Sequence, residues 1–104
     1  MNSSKLVELL NGCVQHLPVS ASLIPLYILC ITIHHDEIGE DLTFKALYTL
    51  LFRYSDVGIK NHIQILSRNG WIQIKQSQLD RRVKCIYGTQ KLHTTFHRVI
   101  NENL

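Results

Sequence analysis

With 104 residues, the chain is long enough for one domain with a modest hydrophobic core and too short for two. Hydrophobic residues make up 45% of the sequence, which excludes an intrinsically disordered composition. The net charge of +3 is unevenly distributed, because residues 1–41 carry −4 and residues 42–104 carry +7, and this asymmetry indicates that one face of the fold meets an anion.

The first predicted helix covers residues 1–16. Its apolar residues recur every three or four positions and form one stripe, which consists of Leu6, Leu9, Leu10 and Cys13. Pro18 ends the helix, because a proline disfavours helical backbone in the residue before it.

The second predicted helix starts within residues 20–22 and reaches about His34. Pro25 falls in its first turn, where the missing N–H has no intrahelical partner to lose. The helix is apolar nearly all round, so it should lie in the centre of the fold. Residues 35–41 are predicted to follow as an acidic loop that contains Gly39.

Two more helices are predicted before the chain turns to strands. One covers residues 44 to about 52, with Thr43 as a favourable N-cap. The next begins after Ser55 and ends at Asn69 and Gly70, because glycine supplies the left-handed residue that stops many helices. Its apolar stripe consists of Ile59, His62, Ile63 and Leu66.

A two-stranded hairpin is predicted over residues 71–87. Residues 71–75 alternate, with Ile72 and Ile74 on one face, which is typical of a half-buried strand. Residues 76–80 form the turn, and residues 81–87 return as the second strand. On that strand Val83, Cys85 and Tyr87 are predicted on one face, and Arg82, Lys84 and Ile86 on the other.

The last predicted helix covers residues 89–104 and is capped by Thr89. Its apolar side consists of Leu92, Phe96, Val99 and Ile100. Together with the stripe of the first helix, this is more apolar surface than a chain of this length buries alone, so we expect a homodimer through the first and last helices. The alternative is that the first helix folds back onto its own domain.

This order of elements is that of a winged helix-turn-helix, a mainly α fold with a small β-hairpin, whose core covers residues 20–87. Residues 42–92 resemble the DNA-binding lobe of the MarR-type transcriptional regulators. The matching residues are Ser55 at the cap of the recognition helix, Leu66 and Gly70 at its end, the motif Asp80-x-Arg82, and Thr89. The resemblance covers about half of the chain.

The resemblance implies a dimeric prokaryotic regulator of transcription that binds a pseudo-palindromic duplex in the cytoplasm. It also implies that Asp80 orients Arg82 through an ion pair. The pattern departs from the family where the chain reads Gly88-Thr89 instead of Leu-Thr, and Leu92 occupies the region of a later glycine. Because the chain is shorter than a typical member, reduced dimerisation helices are expected.

The predicted helix over residues 55–69 carries the first set of candidate DNA contacts. An α-helix fits the major groove, and residues near the N-terminal end of the recognition helix reach base edges. Outside the apolar stripe, this helix exposes Asp56, Lys60, Asn61 and Gln64 after its cap, Ser55. Asn and Gln can pair with adenine, and Lys can donate to guanine or phosphate. Asp56 can cap the helix, accept from cytosine or repel phosphate. The alternative is an ordinary solvated helix face.

The hairpin carries the second set of candidates. Arg82 can enter the narrow and strongly negative minor groove, while Lys75, Arg81 and Lys84 can hold phosphates. The alternative for Asp80 and Arg82 is a surface pair that tightens the hairpin, contributing ~0–1 kcal/mol. Lys45, Arg53 and Arg68 are further candidates, for which solvated charge is the simpler interpretation.

Other functions find less support in the sequence. No nucleophile–base motif or phosphate-binding glycine loop occurs, so an enzyme is not predicted. His93 and His97 share a helix face, and residues 34–37 read His-His-Asp-Glu. A zinc site needs three or four converging ligands, and the sequence does not show that these residues converge. Neither a metal nor a cofactor is therefore predicted. Two alternatives remain: a winged-helix module that binds protein instead of DNA, and a regulator that senses metal or oxidation.

Three widely spaced cysteines, Cys13, Cys30 and Cys85, form no CxxC pair. A disulfide framework is therefore not predicted, and a reducing cytoplasm is the expected compartment. Each lies on an apolar face, where we expect it to be buried as a small hydrophobe. Residues 1–10 lack the apolar segment of a secretory signal, and the apolar run over residues 21–33 is shorter than the ~20 residues of a membrane span.

Overall fold

Four helices and a three-stranded antiparallel sheet make up the part of the chain that the structure, a computed structural model, describes, residues 23–103. The elements are α1 (Ile24–Ile38), β1 (Leu42–Thr43), α2 (Phe44–Leu50), α3 (Asp56–Arg68), β2 (Ile72–Gln76), β3 (Lys84–Gly88) and α4 (Gln90–Asn103). This is the winged helix-turn-helix that the order of predicted elements indicates. The predicted first helix, residues 1–16, and its part in a dimer lie outside the described residues.

The sheet has the order β1-β3-β2, so β3 is its central strand. β2 and β3 form the predicted hairpin, with Ile72 opposite Gly88 at one end and Gln76 opposite Lys84 at the other. We name the hairpin, residues 72–88, the wing. β1 was not predicted, because two residues are too few to show alternation, and it forms only by pairing with β3.

The second strand of the wing begins at Lys84 and not at residue 81. The N–H of Ser77 donates to the carbonyl of Val83 (2.8 Å), so Arg81 and Arg82 belong to the closed loop at the tip. Cys85 and Ile86 lie on opposite faces of this strand, as predicted, and both are buried. Ile86 belongs to the hydrophobic core.

The hydrophobic core lies where α1, α3 and α4 meet the sheet. α1 contributes Ile28, Leu29 and Ile33, α3 contributes Ile59, Ile63 and Leu66, and α4 contributes Leu92 and Val99. The predicted stripe of α3 is thus confirmed, with His62 only half-buried at its side. Because three helices share one core with β3, the position of the wing relative to α3 is set by packing.

α1 begins two to four residues later than predicted and ends four residues later, so residues 35–38 are its last turn and not a loop. Its end is Gly39, whose left-handed φ of 72° lets the N–H of Glu40 reach the carbonyl of His35. The polar residues before Gly39 do not stop the helix, because Glu37 faces solvent and Asp36 finds partners in Gly88 and His93. α1 is also not buried all round, because Tyr27, Cys30 and Ile38 are exposed.

The predicted helix caps are confirmed. The Oγ atoms of Thr43 and Ser55 accept the N–H groups of Ala46 and Gly58, each at 3.0 Å. Thr89 accepts the N–H of Leu92 at 3.3 Å. Gly70 follows α3 with a φ of 81°.

No helix within residues 23–103 is both long enough and apolar enough to cross a lipid bilayer.

Two isoleucines two positions apart on α3 test this packing. Ile63 is 0% exposed and Ile65 is 48% exposed. We expect Ile63→Ala to lower the free energy of unfolding by about 2–5 kcal/mol, because it leaves a cavity in the core. Ile65→Ala should change it by no more than about 0.5 kcal/mol. Urea unfolding measures both, and equal losses would contradict the packing of α3.

Candidate nucleic-acid interface

The exposed face of α3 carries the residues proposed to contact bases. The Oγ of Ser55 accepts the N–H of Gly58 as the helix cap, so the role of Ser55 is to begin the helix. Lys60, Asn61 and Gln64 are exposed on the side opposite the buried stripe, and Asp56 is exposed in the first turn.

Val57 belongs to the same face and was missed from the sequence. Its side chain is 71% exposed, and it lies three, four and seven positions before Lys60, Asn61 and Gln64, which is the spacing of one helix face. The signal in the sequence was the helical spacing that puts this valine among polar residues. Val57 gives the face a methyl-bearing surface as well as hydrogen-bonding groups.

A groove of about 660 Å³ runs between α2, α3 and the wing. It is lined by Thr43, Phe44, Lys45, Tyr48, Lys60, Gln64, Ile74, Arg82, Val83 and Lys84. We name it the basic groove, because four cationic side chains from three elements line it and none of these described lining residues carries a carboxylate. Lys45, which the sequence left as solvated charge, is one of the four. A groove of this sign attracts a polyanion.

The tip of the wing holds an ion pair with two parallel hydrogen bonds. Arg82 donates through Nε to Oδ1 of Asp80 and through a terminal nitrogen to Oδ2, both at 3.1 Å. The backbone N–H of Arg82 also donates to Oδ1, at 3.0 Å. The orientation of Arg82 by Asp80 is therefore confirmed. The side chain of Arg82 remains 90% exposed, so it can still meet a ligand.

These hydrogen bonds, from the side chain and the backbone of Arg82, hold the pKa of the Asp80 carboxyl below its usual range. Asp80 is therefore ionised at neutral pH, and the tip presents a neutralised pair with a free guanidinium edge.

Not every predicted site residue lies in the basic groove. Lys75 lines a separate depression with Glu40 and Asp41, because strand residues alternate and its neighbour Ile74 faces the basic groove. Asn61 and Arg81 are exposed beside the groove without lining it. The structure thus brings together Lys60, Gln64, Arg82 and Lys84 and leaves the others around them.

One member of the histidine pair on α4, His93, contacts a carboxylate of α1. Nε2 of His93 lies 2.7 Å from Oδ2 of Asp36, and that oxygen also accepts the N–H of Gly88 at 2.8 Å. Among residues 23–103, no group of three or more His, Cys, Asp or Glu side chains could hold a metal ion. Cys85 is buried as expected, but Cys30 is exposed, since it lies on the outer face of α1.

The sequence matches no protein-family model and no curated protein. Its fold, however, is shared with solved structures. BldR from Sulfolobus solfataricus superposes with a TM-score of 0.65 at 18% identity, covering 91% of this chain and 63% of that one. Tm0710 from Thermotoga maritima gives 0.70 at 15% identity, covering 94% and 66%. Both are described as transcriptional regulators.

A mutant of MepR from S. aureus, determined with a bound oligodeoxyribonucleotide, gives a TM-score of 0.68 at 20% identity, covering 94% of this chain and 69% of that one. The chain thus spans about two thirds of the length of these structures. None of the three is described as an enzyme. At the level of the fold, the resemblance to MarR-type regulators is confirmed.

The Asp80–Arg82 pair makes a prediction for pH. Because the pKa of Asp80 is lowered in the folded protein, the pair should order the tip at neutral pH and stop doing so as the pH falls through that lowered pKa. Carbon-13 NMR titration should find the Asp80 pKa below its ordinary value in the wild type and closer to that value in Arg82→Gln, where only the backbone hydrogen bond remains. Arg81→Gln, which removes the neighbouring charge, is the control and should shift it much less. Equal shifts in the two variants would contradict the paired geometry.

Proposed function

We propose that this protein is a sequence-specific DNA-binding regulator of transcription. The observation that carries the proposal is the basic groove, in which α2, α3 and the wing converge their cations beside an exposed polar helix face. Duplex DNA is the polyanion whose shape fits this surface, because its major groove admits one helix and its minor groove lies next to it. A regulator of prokaryotic genes would act in the cytoplasm.

In this proposal α3 lies in the major groove. Asn61 and Gln64 offer amides that pair with adenine, and Lys60 donates to guanine or phosphate. Val57 offers methyl groups for the C5-methyl of thymine. Asp56, at the start of the helix, accepts from cytosine or disfavours bases that present acceptors. The face as a whole favours A·T pairs.

The wing then reaches the adjacent minor groove. Arg82, oriented by Asp80, inserts its guanidinium where the potential of DNA is most negative. Lys84 and Lys45 in the basic groove, with Arg81 and Lys75 around it, hold phosphates. Phosphate contacts position the protein, and base contacts select the sequence.

In this proposal the protein binds DNA as a homodimer. α4 leaves Phe96 and Ile100 only partly buried, so it keeps an apolar edge for a partner chain. Two copies related by a two-fold axis would present two α3 helices to half-sites roughly 34–36 Å apart. The operator would then be pseudo-palindromic.

Fluorescence anisotropy with labelled duplex DNA across a salt series tests the proposal. The wild type should bind with an affinity that falls steeply with salt, because bound phosphates release counterions. Arg82→Ala should weaken the free energy of DNA binding by about 1–3 kcal/mol, the usual cost of removing a base-contacting arginine. Arg98→Ala is the matched control, since it removes an exposed positive charge on α4, away from the groove.

Two outcomes would contradict this. An unchanged affinity and salt slope in Arg82→Ala would remove the wing from the interface. Absence of binding at low salt would overturn the regulator and favour a protein-binding module, for which exposed Leu50 and Phe52 in and after α2 offer an apolar surface.

The role of Val57 has its own test. After selection of a preferred duplex from a random pool, each thymine is replaced in turn by deoxyuridine, which lacks only the methyl group. We expect one replacement per half-site to weaken DNA binding by the wild type on the scale of about 1 kcal/mol. Val57→Ala, which keeps a single methyl group, should show a smaller preference for thymine over deoxyuridine. Ile65→Ala, farther along α3, should keep the wild-type preference. Retention of that preference in Val57→Ala would contradict the contact.

A further inference from the structure

We propose that Asp41 is a positioning residue for the wing tip and acts on Arg82 through Ser77 and Asp80. The inference deepens the proposed function and rests on it. We name the four residues the wing relay. Asp41 lies between α1 and β1 and was predicted only as part of an acidic loop.

Ser77 is the centre of the relay. It is one of the few buried polar residues among those described, at 6% exposure. Its Oγ donates to Oδ2 of Asp41 at 2.9 Å and accepts the N–H groups of Leu79 and Asp80 at 3.2 and 3.4 Å. The single hydroxyl proton and both lone pairs are therefore in use. Ser77 thus connects the loop at the tip to a residue outside the wing.

The connection continues to the arginine. The backbone of Asp80 is held by Ser77, and its carboxylate accepts three hydrogen bonds from Arg82. An exposed arginine without such support would lose the conformational entropy of several side-chain bonds on binding. The relay removes part of that freedom before DNA arrives, so it lowers the entropic cost of inserting the guanidinium.

Asp41 is itself held by the sheet. Its Oδ1 accepts the hydroxyl of Tyr87 at 2.9 Å, and burial together with this hydrogen bond raises the pKa of that hydroxyl. The next residue, Leu42, pairs with Ile86 of the central strand. The two oxygens of Asp41 therefore separate two tasks, because Oδ1 attaches it to β3 and Oδ2 attaches the wing tip to it.

This separation supplies matched variants. Asp41→Asn and Ser77→Ala each weaken the link to the tip, and Tyr87→Phe removes the other hydrogen bond of Asp41 while leaving Ser77 in place. Asp41 is exposed, so its substitution leaves the core intact even if Ser77→Ala disturbs the fold.

In the anisotropy assay we expect Asp41→Asn and Ser77→Ala to weaken DNA binding roughly 2- to 10-fold, on the scale of one hydrogen bond. Tyr87→Phe should stay within about 2-fold of the wild type. Removing the negative charge of Asp41 would by itself tighten binding to a polyanion. The loss of charge and the loss of the relay therefore predict opposite changes in the DNA affinity of Asp41→Asn. In an Arg82→Ala background, Ser77→Ala should have no further effect, because the relay acts only through that arginine.

A second measurement needs no DNA. Trypsin cleaves after Arg81 and Arg82, and it requires an unfolded loop, so cleavage reports the order of the tip. We expect faster cleavage there in Asp41→Asn and Ser77→Ala than in the wild type and in Tyr87→Phe. Urea unfolding of all four proteins separates a loosened tip from a destabilised fold.

If the wild type and Arg82→Ala bind as proposed but Asp41→Asn binds more tightly, or changes neither affinity nor cleavage, the relay is wrong and the proposed function stands. If the wild type binds no duplex DNA, the proposed function fails and the DNA-positioning role fails with it. Unchanged cleavage would then also reject the ordering of the tip by Asp41.

Discussion

The central strand β3 is the element on which the rest of the structure depends. β1 and β2 both pair with it, and α1, α3 and α4 pack over the face that carries Ile86. Because strand side chains alternate, a slip of one residue in this pairing would turn Ile86 out of the core. Burial of that side chain therefore sets the register of the wing, and the register sets where Arg82 stands relative to α3.

The uneven charge along the chain has two separate uses. Four cations of the C-terminal part, Lys45, Lys60, Arg82 and Lys84, line the basic groove, where they remain exposed and available to an anion. Two acids of the N-terminal part, Asp36 and Asp41, accept hydrogen bonds from β3, α4 and the wing. These acids connect α1 and the loop after it to the sheet, so the charge asymmetry reflects attachment as well as recognition.

Local chemistry explains why so much of the fold was predictable. The caps Thr43, Ser55 and Thr89 act on residues three positions later, and Gly70 acts on its own backbone conformation. Such signals lie within one turn of the chain and need no knowledge of the rest. The same holds for Asp80 and Arg82, which are two residues apart and pair as the family resemblance implied.

Within residues 23–103, sequence by itself thus determined the order and type of the helices, the hairpin, the buried stripe of α3 and the ionic tip of the wing. Only the tertiary structure decided that β1 exists, that Lys45 faces the groove and Lys75 does not, and that Asp41 holds Ser77 from 36 residues away. The physical reason is that these features depend on which surfaces meet after packing. A pair of residues far apart in the chain leaves no periodic or capping signal, and its contact exists only once the core around β3 has formed.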